Sequence, residues 1–590
     1  MSKKQEIIDE VRMKMEDYES NMDTFHAEVN EYSDLFTMKR PAKKSNSFSR
    51  PRTPETFRAV NALGTMMYRM ITAQDPFFST VAMDMNISQS SLYKVDKTMQ
   101  MQLRVQQYKR YLLKALMQTT LNGTSFVEEN FKWVTLNPLG RKIPITTFTP
   151  RSCLQVGFDR NCFDIDDSPF FYTCDRIDKY RLRTLARQDA GGSIWSKGDI
   201  EDAIAAKEEE TTNSYVVNRL SKDGLSDSET SLDTPHMELT MYYGTLDCMN
   251  DDIWYVCGII NRKYLVRFHD NKDQSGKKNF RIGRWVEWEL NPLAMGLGKL
   301  LAGHQKSIDA NRQKVETGIT FNNLNMWLKD RNSGINSQSF KLIPLKIIEG
   351  DGTNGVKPLE TSGVGIVQGL KLDEILKQEF RAASGATDTL QAIMTDGGTL
   401  GEVTIAQNEA VRNVSVKAEL IAESLSRDHL AQQHINNYTC VGDKFVVSGK
   451  DGPIVVYPSD LNVDVDFEIT MSTDKNFRPN RTKGLGEITQ ILTSIRNNGS
   501  SRIAKPFIME LARSLDVDPA SVEAAFQEQE EQEAAMMEQA AMGAIAKMQE
   551  NAMAGKAVVP GEAGGTAQIP VRGQDAQGSV NVPMSEEEPI

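Results

Sequence analysis

No stretch of this sequence approaches the roughly 18 consecutive apolar residues of a membrane-spanning helix, and its start, MSKKQEIIDEVRMKMEDYES, lacks the apolar core of a secretion signal. Paired cysteines are missing as well. The six present, Cys153, Cys162, Cys174, Cys248, Cys257 and Cys440, show no CxxC spacing in a chain of 590 residues that needs no staples. They read as reduced thiols of a soluble protein made in cytoplasm.

Catalytic signatures are equally scarce. The six histidines, His26, His236, His269, His304, His429 and His434, form no HExxH, and no GxSxG elbow accompanies them. Gly296-Leu297-Gly298-Lys299 has part of a phosphate loop, but Leu300 stands where Ser or Thr would hold magnesium and Leu293 where the leading Gly would be. It reads as a flexible helix entrance. In HDNKDQSG, residues 269–276, Lys272 and Gln274 break the alternation of oxygen ligands of a calcium loop, so a solvated hairpin is expected. Asp164, Asp166 and Asp167 could hold paired metal ions as in a nuclease, yet no companion Lys or His stands at a telling distance. Trp254, Trp285 and Trp288 lie in apolar, strand-like runs and read as core, not as platforms for stacked bases. No cofactor is implied.

What is present is an ordinary globular composition. Hydrophobic residues make up 39% and charged residues 25%, so several domains or one elongated subunit can fold. The formal charge of −12 argues against a tight DNA clamp, since affinity for phosphate comes from Lys and Arg releasing counterions. It suits a conduit, where strong attraction would act as friction.

Periodicity predicts one amphipathic helix over 1–36, with Ile7, Ile8, Val11, Met15, Tyr18 and Met22 on a stripe. Residues 39–54, KRPAKKSNSFSRPRTP, are basic and Pro/Ser-rich: a solvated linker, or an arm that grips a neighbouring subunit. A single long helix is expected from Val95 to Leu121, stopped by a left-handed Asn122-Gly123. FVEENFKWVTL and the stretch 143–171 follow as short strands broken by Pro138, Pro144, Pro150 and Pro169. A polar excursion over about 187–235 carries a short helix near 197–209, and strands resume at MELTMYYGTLD, IWYVCGII, KYLVRFH and WVEWEL as a β meander.

Asn291-Pro292 is expected to cap a rod helix running to about Leu328, with Leu297, Leu301, Ile308, Arg312, Val315 and Ile319 on its stripe. Residues 330–362 form a Gly- and Pro-rich excursion around KLIPLKII. A second helix over about 370–392 leads through Met394-Thr395-Asp396-Gly397-Gly398 to a capped helix that starts at Thr399 and runs to about Tyr438. Strands FVVSG, PIVVYP and VDVDFEITM then return. Shorter helices over 480–526, a Glu/Gln/Met/Ala helix over 527–553 and a Gly/Pro-rich tail close the chain.

This order resembles that of the portal, or head-to-tail connector, of tailed bacteriophages, in the large form of short-tailed phages. NPLAMGLGKLLAGHQKSIDANRQKVETGITFNNLNMWL, with Gln305 and Asn311, is similar to the family's Gly-rich lead-in and first stem helix. LLKALMQTTLNGTSFVEENFKW looks like its wing helix ending at a Gly before a strand, and GGTLGEVTIAQNEAVRN is similar to the passage from tunnel loop to long wing helix, with Gly401 a departure inside the motif. The likeness covers roughly 60–530 and consists of packing and capping signals, with no chemistry.

The resemblance implies an α+β portal-like subunit. Its parts would be an N-terminal helix and basic arm (1–54), a wing (55–290), stem helix 1 (291–329), a clip (330–362), stem helix 2 (363–392), a tunnel loop (393–402), a long wing helix with returning strands (403–475), a helical crown (476–553) and a flexible tail (554–590). It further implies a non-enzymatic ring of about twelve copies at one capsid vertex of the virion. Double-stranded DNA would pass through non-specifically in packaging, retention and ejection, and the terminase large subunit, the major capsid protein, scaffold and tail adaptor proteins would be partners. Met394, Thr395, Asp396, Gly397, Gly398 and Thr399 would face DNA, Lys299, Gln305, Arg312, Lys377 and Arg381 would line the stem, and Asp330, Arg331, Lys341 and Lys346 would lie in the docking clip. Each stem helix should then carry a second, semi-apolar face that an isolated monomer exposes. The alternatives are a metal-dependent DNA-processing enzyme built on Asp164, Asp166 and Asp167, and another tail or inner-core virion protein.

Overall fold

The computed structural model describes residues 3–40, 50–84, 87–135, 142–188, 194–206, 237–271, 279–289, 291–323, 326–329, 356–359, 364–385, 412–440, 442, 444–448, 453–471 and 542–543. The segments 41–49, 207–236, 330–355 and 386–411 lie outside them, as does nearly all of 472–590. The expected tunnel loop, most of the clip, the bulk of the polar insertion and the crown are therefore not described.

The chain opens with α1 (Lys3–Asn21) and α2 (Asp23–Phe36), where periodicity predicts a single helix. The stripe of Ile7, Ile8, Val11, Met15 and Tyr18 packs into one core and Tyr32 into another, and the helix breaks at Met22 to serve both. Next come α3 (Glu55–Ile71) and β1 (Phe78–Ala82). The long helix expected over 95–121 is two, α4 (Gln89–Val105) and α5 (Tyr108–Asn122). Gln107 between them is left-handed, at φ 57°, a state that a glutamine seldom adopts and a sequence does not announce. The left-handed stop at Gly123, φ 92°, is where the sequence places it.

β2 (Thr124–Thr135), β3 (Lys142–Arg151) and β4 (Val156–Phe158) follow. Pro144 and Pro150 do not break β3. In the sheet order β3-β2-β9 that strand is an edge, where a missing N–H costs nothing. β5 (Phe170–Ile177), α6 (Lys179–Gln188), α7 (Lys197–Ala205), β6 (Met237–Gly244), β7 (Tyr255–Ile260), β8 (Tyr264–Asp270) and β9 (Phe280–Arg284) complete this half. The expected meander is present as the antiparallel sheet β4-β5-β6-β7-β8, whereas WVEWEL is not a strand and β9 lies just before it. Trp285 is buried and Trp254 partly so, but Trp288 is 63% exposed, against the expectation that all three are core.

α8 (Leu297–Asn323) is the first rod. It starts later than Asn291 predicts, because Ala294 N–H is spent on Thr124 Oγ1 and Met295 N–H on the Val286 carbonyl. Asn291 instead accepts from Leu293 N–H in a turn. β10 (Met326–Lys329) and β11 (Val356–Leu359) pair antiparallel, and α9 (Val364–Ser384) is the second rod, displaced toward the N-terminus from the expected 370–392. Residues 412–422 are helical, pass through a π-helical turn at Glu423–Arg427, and continue as α10 (Asp428–Cys440). β12 (Phe445–Ser448) and β13 (Pro453–Val456) form a hairpin, and β14 (Val465–Ile469) returns to pair with β1. Every strand pairing among the described residues is antiparallel, so the structure is α+β. Of residues 521–590, only 542–543 are described, as helix.

Two cores result. One lies between α1 and the five-stranded sheet; the other gathers α3, α4, α5, the start of α8, residues 412–430 and the returning strands. Polar groups cross the second core in a ladder: Gln106 donates to Gln433, Gln433 to Gln102, and Gln102 to Asn437 at 2.8 Å. The buried His429 joins it through Gln106 and meets Glu129 Oε1 at 2.6 Å, with Arg281 on the far side of that carboxylate at 3.1 Å. These amides lie on helix faces that periodicity alone marks as apolar.

His26, 1% exposed at the α1–α2 turn, has its pKa lowered to about 4 by burial, opposed weakly by Asp23. Its folded value lies below the unfolded one near 6.5. The unfolded chain thus binds the extra proton, and stability present above about pH 6.5 is lost as pH falls toward 4. A loss on the order of 3 kcal/mol is expected from this group alone. Urea denaturation of wild type and His26→Leu at pH 7 and pH 4.5 checks it: the pH dependence should shrink in the variant, and equal slopes would refute the assignment.

Candidate functional site

Glycine decides where the rods leave the body. A Cβ on Gly123 would stand 2.5 Å from the Met295 carbonyl carbon, one on Gly296 2.5 Å from the Leu121 carbonyl oxygen, and one on Gly298 2.5 Å from Tyr32 Cγ. The end of α5 and the start of α8 therefore cross backbone to backbone. The GLGK segment is a close-packed crossing, not the flexible entrance its composition suggests. Trp285 N–H donates to the Gly123 carbonyl at 2.8 Å, and Lys417 lies 4.3 Å over the Trp285 ring.

Above the crossing, α8 and α9 run antiparallel. At 1.5 Å per residue their 27 and 21 residues make rods of about 40 and 30 Å. Asn311 donates to the Gly369 carbonyl at 2.8 Å, and a Cβ on Gly318 would touch Ile366 at 3.4 Å. Asp373, 4% exposed, sits between the rods and takes Lys377 at 2.8 Å and Arg312 at 3.2 Å on one carboxylate oxygen. Beyond the rods, β10 and β11 register Met326 opposite Leu359 and Lys329 opposite Val356, which carries the hairpin onward as a strand pair.

The residues expected to line a channel divide. Lys299 is exposed and 3.7 Å from Glu28 of α2. Arg312 and Lys377 meet at Asp373, so their charge is partly spent between the rods. Arg381 is half-buried, its carbonyl bonded by Ser384 Oγ at 2.8 Å. Gln305 is fully buried in its own subunit, accepts from Thr56 N–H at 3.1 Å and donates to Thr53 Oγ1 at 2.6 Å. Its amide pins residues 53–56 against α8, helped by Arg52 on Asp309 at 2.9 Å. Arg52 also donates to the Lys39 carbonyl at 3.0 Å, which ties the two described ends of the basic segment to each other, while residues 41–49 between them lie outside the described residues. Met394, Thr395, Asp396, Gly397, Gly398 and Thr399, and Asp330, Arg331, Lys341 and Lys346, lie outside the described residues.

Asp373 was not singled out by sequence reading, though an acid four residues before Lys377 on an otherwise apolar face was a usable signal. Asp309 gave none, since its partners Arg52 and Thr53 are remote in sequence.

The acidic triplet is engaged differently from a metal site. Arg284 reaches Asp164 at 2.6 Å and Asp166 at 2.8 Å, placing a guanidinium where a nuclease would place cations. Among the described residues, no group of three or more His, Cys, Asp or Glu converges as a metal site requires. Among the described residues Cys153, Cys174, Cys248 and Cys257 form no disulfide, and Cys162 Sγ donates to the Asp159 carbonyl at 2.7 Å. No described helix is long and apolar enough to cross a membrane.

No protein-family model matches the chain, and no curated protein matches it.

Proposed function

We propose that this chain is the subunit of a portal-like ring: a conduit for double-stranded DNA at one capsid vertex that docks the terminase motor and later the tail adaptor. The observation that carries this reading is the hairpin. Two antiparallel rods rise from an α+β body at a glycine crossing and continue into a strand pair. Leu297, Leu301, Ile308 and Phe380 join the second core of the body, and rods that run on past it suit copies standing side by side. The balance of charge supports a passage over a grip, since −12 per chain offers duplex DNA few counterion-releasing contacts.

The chain's work on this reading is mechanical. The body spaces the subunits, the rods form the wall, and the segment beyond β10 and β11 meets the motor. Terminase, major capsid protein, scaffold and adaptor are the partners so implied, and the virion is the location.

Native mass spectrometry and negative-stain images of the purified chain test it. Rings of about twelve copies with a central hole are expected. A monomer or dimer that persists across protein concentration and salt would sink the proposal.

A further inference from the structure

α6 carries four cations, Lys179, Arg181, Arg183 and Arg187, and no carboxylate in ten residues, within a chain of net charge −12. One of them serves the fold: Arg183 forks onto Glu201 of α7 at 2.8 and 2.5 Å. The other three form no ion pair among the described residues. Asp178, the acid beside them, is spent as a cap on Arg181 N–H at 2.6 Å.

The helix itself is not helped by this charge. Lys179 and Arg183, and Arg183 and Arg187, stand four residues apart, a spacing at which like charges destabilise a helix. Lys179 and Arg181 also oppose the dipole in the first turn.

Leu182 and Ala186 anchor α6 in the core of the five-stranded sheet, whereas the buried rod residues Leu297, Leu301, Ile308 and Phe380 belong to the other core. At 3.6 residues per turn, Tyr180, Thr184 and Arg187 fall within about 60° of one another on the side opposite Leu182 and Ala186. Lys179 and Arg181 stand about 100° to either side of Tyr180. The Lys179 ammonium nonetheless returns to the outward side, 5.2 Å over the Tyr180 ring.

The partner of such a face is a polyanion, and its chemistry narrows further. Tyr180, 62% exposed, is the helix's one exposed aromatic, and no aliphatic side chain of α6 is exposed beside it. A docking site for an acidic protein would need an apolar centre. Nucleic-acid interfaces are polar and cationic throughout. From Lys179 to Arg187 the helix rises about 12 Å, the axial span of three to four phosphates on one strand.

We infer that the outward face of α6 binds the phosphate backbone of a nucleic-acid duplex, with Lys179, Arg181 and Arg187 as the phosphate contacts. The contact carries no sequence information, and the acidic remainder of the chain keeps it weak and strongly salt-dependent. It does not rest on the ring reading, because α6 belongs to the core that the rods do not enter.

Fluorescence anisotropy of a labelled DNA duplex titrated with the full chain over a salt series tests it, using Lys179→Gln, Arg181→Gln, Arg187→Gln and the triple variant. The slope of log affinity against log salt should fall by about one for each cation removed and by about three in the triple variant. Arg69→Gln, which removes an exposed cation on α3, should leave the slope unchanged. Urea midpoints of the α6 variants should hold or rise, since repulsion within the helix is relieved. A wild type that ignores the duplex at low salt, or a triple variant with the wild-type slope, would overturn the assignment. So would poly-glutamate that displaces the duplex from wild type at equal charge concentration, which would give the face to an acidic protein. Rings that form but bind no duplex through α6 would overturn this contact alone, and a monomer that does bind through α6 would support it while the ring reading fails.

Discussion

Replacing Arg262 by Ala is expected to cost about 3–5 kcal/mol of folding free energy, because it leaves a buried carboxylate without its cation. Arg262 sits in the β7–β8 turn with φ 56° and is held by two carboxylates. It forks onto Glu19 of α1 at 2.6 and 3.1 Å and reaches Glu238 of β6 at 3.2 Å. Glu238 is 1% exposed, and burial raises its pKa even with Arg262 beside it. Without the guanidinium its folded pKa rises further above the unfolded value. The folded state then holds a proton that the unfolded state has released, so the loss should deepen as pH rises from 5 to 8. Urea midpoints for wild type and Arg262→Ala at both pH values measure this. Replacing both partners, Arg262→Met with Glu238→Met, should recover most of the loss, as paired removal of buried charges generally does. A single variant within 1 kcal/mol of wild type would show that the turn is not what fastens α1 to the sheet.

The second large effect is expected at Gly123→Ala. Two penalties coincide there: a φ of 92°, which side chains rarely adopt, and a Cβ 2.5 Å from the Met295 carbonyl carbon. Relief would require the start of α8 to back away from α5, and a loss of at least about 3 kcal/mol follows. Gly303→Ala, in the same rod with open space around it, is the comparison and should stabilise by roughly 0.5–1 kcal/mol from helix propensity alone. Thermal unfolding of the two variants side by side reads the contrast; similar melting temperatures would mean that the crossing does not set the rod's place.

Much of the secondary structure was legible in the residues. The meander strands β6 to β8, the rod at α8, the left-handed stop at Gly123 and the returning strands β12 to β14 follow from alternation, periodicity and turn chemistry. The failures share a cause. At the late start of α8 backbone groups are spent on Thr124 and Val286, beside the break at Gln107 the neighbouring Gln106 is spent on Gln433, and at Met22 the chain passes from one core to the other. Local periodicity continues through all three, so no window of sequence reveals them. The edge position of β3, which tolerates Pro144 and Pro150, is likewise a fact of sheet order.

Of the residues expected to line a channel, the sequence could mark polar positions on the rods but not their direction. Gln305 and Lys299 lie six residues apart on one helix; one is fully buried under Thr53 and Thr56 and the other is half exposed. By itself the sequence determined composition, charge sign, the order of helices and strands, and the scarcity of catalytic signatures, because each depends on residue type or on short-range period. Only the tertiary structure decided that Asp373 binds the rods together, that Gln305 is buried, and that Val367, Leu370, Leu372 and Ile375 of α9 stand exposed. Those outcomes depend on which distant segment fills the space beside each residue, and pairing at long range is set by packing of the whole chain.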